Sequence, residues 1–178
     1  MGERKPPTSI RSIRMPDDLI VELEKESEFQ HISVNTLLNT IIFRYLEWER
    51  YAEKFGFIGL SRETFRAMIS NMDEAELSTL AKSVSFSKLK EFAFFSWNIN
   101  GPKSVLEFIK KFCRYARYGE WEIRQDGPFY KASFLHKMGP KVSYFLCELY
   151  SDLLISVAGL NPEVEILENE FIIKFAFS

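Results

Sequence analysis

The spacing of apolar positions changes several times along this chain, and each change marks an element. The opening run "TSIRSIRMPDDL" alternates: Ile10, Ser12 and Arg14 fall on one face at period two, Arg11, Ile13 and Met15 on the other. This spacing predicts a strand over 8–15. Pro16 then suits a first helical turn, where a missing N–H costs nothing, and Asp17 and Asp18 suit the positive end of a helix dipole. A short helix is expected from Leu19 to about Gln30, with Leu19, Ile20 and Leu23 inward. "HISVN" breaks it, and Ser33 is a good N-cap for the next helix. That helix carries Val34, Leu37, Leu38, Ile41, Ile42, Tyr45 and Leu46 at helical spacing and should run to about Lys54.

Beyond Gly56 the pattern stays helical for some time. Ser61 is expected to cap a helix to about Met72, and Asp73 with Glu76 forms a capping-box signal for another, to about Val84. A further helix is expected over Ser87 to Trp97, then a turn at "NINGP". Ser104 with Glu107 reads as another capping box, opening a helix through Val105, Leu106, Ile109, Phe112 and Cys113. Then the period switches to two. "EWEIRQ", "DGP" and "FYKASFLH" predict a hairpin, Pro140 to Ala158 a helix, and "EVEIL" with "EFIIKFAF" a second hairpin turning at Glu168–Asn169. The expected C-terminal half is an α+β domain: helices, then ββαββ with an antiparallel sheet backed by the Pro140–Ala158 helix.

Composition alters this picture little, and local charge alters it more. Across the 178 residues, 46% hydrophobic and 27% charged is ordinary globular composition, and a net charge of −2 carries no global nucleic-acid signal. Residues 1–16, however, hold Arg4, Lys5, Arg11 and Arg14 against Glu3 alone. Residues 17–30 hold six acids against Lys25. A basic arm thus precedes an acidic helix. Two cysteines make no disulfide framework, which favours a reducing compartment. There is no signal-peptide pattern and no apolar run of spanning length, so a soluble, cytoplasmic protein is expected.

A strand and two helices within about 45 residues cannot bury a core alone, and without metal or disulfide groups a second copy is the expected solution. Two opening strands paired antiparallel would form a ribbon, with one face on the helices and one face outward, of a size that enters a DNA major groove. The stretch "SIRMPDDLIVELEKESEFQHISVNTLLNTIIFRYLEW" resembles the ribbon-helix-helix family of Arc/MetJ/CopG type in its basic-polar strand, its "RMPDDL" strand exit and its "SVNTLLN" helix start.

The resemblance implies an intertwined βαα dimer at 1–56, followed by an effector or oligomerisation domain at 57–178. It implies base contacts from Ile10, Ser12 and Arg14, phosphate contacts from Ser33, Val34 and Asn35, and further phosphate contacts from Arg4, Lys5 and Arg11. The implied dimer core is Ile13, Met15, Leu19, Leu23, Leu37, Leu38, Ile41, Ile42 and Tyr45. Two positions depart from the family. Ile10 stands where a polar reader is usual, and His31 where a glycine is common; a need for positive φ there would strain histidine.

The C-terminal part offers little chemistry. Its one histidine, His136, fits a strand end held by local hydrogen bonds better than a haem ligand. Cys113 and Cys147 form no recognisable zinc set, and Cys147 reads as a small core residue. No nucleophile elbow or phosphate loop appears, so neither catalysis nor a cofactor is expected. Glu163, Glu165 and Glu168 read as solvent-facing. The aromatic group Phe92, Phe94, Phe95, Trp97, Phe108, Phe112, Tyr115 and Tyr118 reads either as core or as the lining of a pocket or second interface.

"FLHKMGPKVSYFLCELY" is similar to the strand-to-helix segment of 4-vinyl-reductase-like sensor domains, which implies a helix packed on an antiparallel sheet. The resulting expectation is a homodimeric, site-specific DNA-binding regulator with a small-molecule or protein effector. The alternatives are a dimeric interaction or ligand-binding module that does not bind DNA, or an antitoxin.

Overall fold

The computed structural model describes residues 9–99 and 101–176. By its contacts the chain divides into two compact units, 1–45 and 46–178.

In the first unit, Pro16 leads into α1 (Asp17–Phe29), and Ser33 into α2 (Val34–Arg44). Among the described residues, Ser9–Pro16 forms no strand; the chain is helical from Asp17 onward. The expected βαα ribbon-helix-helix fold is therefore not the fold of this chain. The alternation over 9–15 is real, but alternation alone does not make a strand: the backbone must meet a ladder partner. Among the described residues no segment pairs with 9–15, and a local hydrogen bond runs there from Arg11 Nη1 to the Ile10 carbonyl at 3.0 Å.

The second unit opens on a π-helical turn, Tyr45–Glu49, straddling the division and followed by α3 (Arg50–Lys54). Then come α4 (Arg62–Ser70) and α5 (Glu74–Val84). Their starts follow the sequence signals. Ser61 Oγ accepts from Thr64 N at 3.1 Å, and Asp73 and Glu76 exchange backbone and side-chain bonds at 2.8 Å each. A second π-helical turn, Ser85–Leu89, leads into α6 (Lys90–Trp97).

The next helix, α7 (Pro102–Ala116), begins earlier than the expected cap at Ser104. Pro102 takes the first helical position, which its locked φ and missing N–H favour. Ser104 thus sits inside the first turn, its Oγ accepting from Gly101 N at 3.1 Å, and no Ser104–Glu107 capping box forms.

The hairpin β1 (Glu120–Asp126) and β2 (Phe129–Leu135) turns at Gly127, whose φ of 58° favours glycine. Gly119 is required for a different reason. A Cβ there would stand 2.7 Å from the Leu135 carbonyl oxygen and 2.3 Å from Phe134 Cζ. After α8 (Pro140–Ala158) come β3 (Glu163–Ile166) and β4 (Glu170–Ala176). The sheet is antiparallel in the order β1-β2-β4-β3.

Register places Trp121 and Ile123 of β1, Ala132 and Phe134 of β2, and Phe171, Ile173 and Phe175 of β4 on the helix-covered side. Helix α8 packs on β3 and β4 and also on α5 and α7. Both of its sides are therefore covered, and Val142, Phe145, Leu146, Leu149, Tyr150, Leu153 and Leu154 are all buried. The main cluster of buried apolar side chains lies wholly within this second unit.

Candidate functional site

In the first unit, most of the sequence-predicted contact residues that the structure describes are exposed. Ile10 is 94% exposed, and Arg11, Ser12, Arg14, Ser33 and Asn35 are also exposed, while Val34 is half-buried. Arg4 and Lys5 lie outside the described residues. Ser33 performs the predicted capping: its backbone is extended and its Oγ accepts from Thr36 N at 3.1 Å. Val34 and Asn35, at the first two helical positions, carry amides with no intrahelical acceptor, which leaves them able to donate to an anion. His31 adopts φ 55°, the left-handed conformation that glycine takes without strain.

The expected dimer-core set does not come together within one chain. Leu37 is buried, Met15, Leu23 and Leu38 are half-buried, and Ile13, Leu19, Ile41, Ile42 and Tyr45 are exposed. Phe29 is 80% exposed, and Ile20, Val21 and Phe43 are exposed as well. The acids of α1 all face solvent.

In the second unit, His136 joins two turns. Met138 N donates to its Nδ1 at 3.0 Å, so the proton sits on Nε2, which donates to Ser143 Oγ at 2.8 Å. Ser143 in turn donates to the Glu168 carbonyl at 3.2 Å. The Asn169 carbonyl accepts from His136 N at 3.0 Å, and Asn169 Oδ1 accepts from Gly139 N at 3.0 Å. This network ties the exit of β2 and the start of α8 to the β3–β4 turn. Burial lowers the His136 pKa to about 4, which keeps the ring neutral. Both ring nitrogens are engaged, so neither is open to a ligand. Sequence reading placed His136 at a strand end but could not name Ser143 and Asn169 as its partners, because the bonds cross 7 and more residues.

A second buried cluster links Cys113, Tyr118 and Tyr150. Cys113 Sγ lies 3.3 Å from Tyr150 Oη, which also bonds the Tyr118 hydroxyl. Burial pushes the Cys113 thiol up to about 12 and Cys147 up to about 11, and raises both tyrosines well above their ordinary value. Neither thiol ionises near neutral pH, and only the thiolate is a nucleophile. The four groups Glu163, Glu165, Glu168 and Lys174 at the β3–β4 end are exposed.

The aromatic group splits between the two readings. Phe92, Phe108 and Phe112 are buried, Trp97, Tyr115 and Tyr118 are half-buried, and Phe94 and Phe95 are exposed. Trp48, missed as a member, sits at its centre, 5.3 Å from Phe92, 5.4 Å from Phe112 and stacked on Tyr115 at 5.9 Å. The π-helical turn explains the oversight, since one added residue per turn rotates the side chains away from the 3.6-residue period. Beside Trp48, the Tyr115 hydroxyl donates to Glu47. That bond, aided by Lys111 at 3.5 Å, holds the Glu47 carboxyl below its usual range.

Neither a family model nor a curated protein sequence matches this chain. Among the described residues, no helix is long and apolar enough to cross a membrane, and no three His, Cys, Asp or Glu side chains gather as a metal set.

Proposed function

We propose that the chain is a homodimeric DNA-binding transcriptional regulator whose first unit both joins two copies and contacts DNA. The observation that carries this reading is the apolar surface of α1 and α2, which buries little more than Leu37 and leaves Leu19, Ile41, Ile42, Phe43 and Tyr45 open. A patch of this kind on a short helical pair marks a protein–protein contact. The same unit carries the exposed Arg11 and Arg14 and the capped start of α2, groups suited to phosphate oxygens and guanine edges.

The acidic α1 limits DNA approach to the side carrying the arginines. The second unit then supplies a sensing or assembly function. Its thiols are held protonated, and its one histidine is neutral and fully hydrogen-bonded, which is why the reading includes no catalysis.

Mobility-shift titrations against genomic fragments test the proposal. Wild type is expected to retard specific fragments, with affinity falling steeply as salt rises. Arg14→Ala should lose about 1–3 kcal/mol on its preferred fragment. Retardation of no fragment by wild type, or equal retardation by both proteins, overturns the reading.

A further inference from the structure

The helix-facing side of the sheet is not covered to its end. Helix α8 occupies the β3 and β4 side, and α7 approaches β1. At the hairpin end, Ile123 and Tyr130 point to the covered side by register yet stay half-exposed. The space left between α7 and this end of the sheet is a groove of about 550 Å³, within the size range of small-molecule sites. Leu106, Trp121, Ile123 and Tyr130 line its apolar part, and Lys103, Glu107, Lys110 and Glu122 its rim.

The rim is biased toward cations. Glu122 is engaged by Arg124 through two bonds, at 2.9 and 3.2 Å, and faces the other side of the sheet by register. Glu107 is then the remaining acid beside two lysines. Lys103 and Lys110 lie seven positions apart on α7, two turns on one face, or roughly 10 Å along the axis. The wall carries one unmet donor: the indole N–H of Trp121 is shut off from solvent and meets no acceptor among the described residues.

We propose that this groove binds a small aromatic acid, its ring against Trp121, Ile123 and Tyr130 and its anionic group held by Lys103 and Lys110. A flat apolar body suits the aromatic walls, and a single anionic head suits the surplus lysine charge. The inference stands on the groove alone and is independent of DNA binding.

The test uses 2-naphthoate, 2-naphthyl phosphate and the neutral 2-naphthylmethanol as probes on the full chain. The readout is the Trp121 indole N–H resonance, assigned through Trp121→Phe; a signal at that position separates the groove from the open apolar surface of the first unit. Both anions are expected to shift this resonance in a saturable way. The tighter of the two identifies the head group, and the alcohol should bind at least tenfold more weakly. Lys103→Glu and Lys110→Glu, both exposed on α7, should each weaken anion binding about tenfold and leave the alcohol unchanged. An unmoved Trp121 resonance at millimolar probe overturns the site. Equal binding of anion and alcohol, or no effect of either lysine change, overturns the assignment of an acid.

Discussion

Leu37 and Trp48 are both buried, but their surroundings differ. Leu37 is 5% exposed in a pair of helices whose other large apolar side chains are mostly open. Trp48 joins a continuous cluster that includes Phe92, Phe108 and Phe112 and continues through Tyr150 and Phe134 to the sheet. The contrast shows what a small unit lacks. Two short helices expose too much surface for their volume, whereas a sheet with helices layered on it surrounds its apolar side chains. The second unit closes its own core; the first leaves most of its large apolar side chains exposed.

That contrast can be broken at Trp48. Replacing it with alanine empties the middle of an aromatic cluster, with an expected loss of about 3–5 kcal/mol in chemical unfolding of the second unit. Leu37→Ala should leave that transition unmoved, because Leu37 lies outside the cluster. If both changes shift one common transition equally, the two-unit description is wrong.

The next largest effect follows from His136. Its folded pKa of about 4 lies below the ordinary value of 6.5, so the folded state binds fewer protons than the unfolded one between these values. Stability is therefore complete above pH 6.5 and is lost as pH falls from 6.5 toward 4, by about 3 kcal/mol at most. Urea midpoints at pH 7 and pH 4.5 measure it. His136→Phe should be less stable at pH 7 and should lose less on acidification; an identical pH slope in both proteins would exclude His136 as the source.

In the first unit, Ile41→Asp places a charge on the open apolar surface. Sedimentation at micromolar concentration should show wild type as a dimer and the variant dissociating about 100-fold more readily, or about 2.7 kcal/mol. The unfolding midpoint of the second unit should not change. A monomeric wild type would remove the reason for reading this surface as an interface. The smallest effect belongs to His31, held at φ 55°. Glycine there relieves the left-handed strain and should slow amide exchange in α1 and α2 about twofold, corresponding to about 0.5 kcal/mol. Faster exchange would mean that the imidazole contributes more than its strained backbone costs.

Much of the architecture was legible from local pattern. The caps at Ser33, Ser61 and Asp73 were readable because a side chain and an amide three residues away settle them without outside help. The two hairpins were readable because alternation and turn residues are local signals, and so was α8. Ser104 misled because a serine followed by a glutamate matches a cap wherever it falls, while Pro102 had already begun the helix. Trp48 was missed because a π-helical turn leaves no fixed mark in composition. The groove was missed because Lys103, Lys110, Trp121 and Tyr130 come from three elements, and their nearness depends on which part of the sheet α8 leaves uncovered.

Period, capping and turn chemistry act over a few residues, so the amino-acid order alone was enough to place nearly every helix and all four strands of the sheet. Pairing acts across space. The order β1-β2-β4-β3, the His136–Ser143–Asn169 tie and the aromatic cluster around Trp48 exist only once distant segments meet. The opening run makes the same point in reverse. Its alternation is as clear as that of β1, but β1 has β2 beside it, and residues 9–15 have no ladder partner among the described residues.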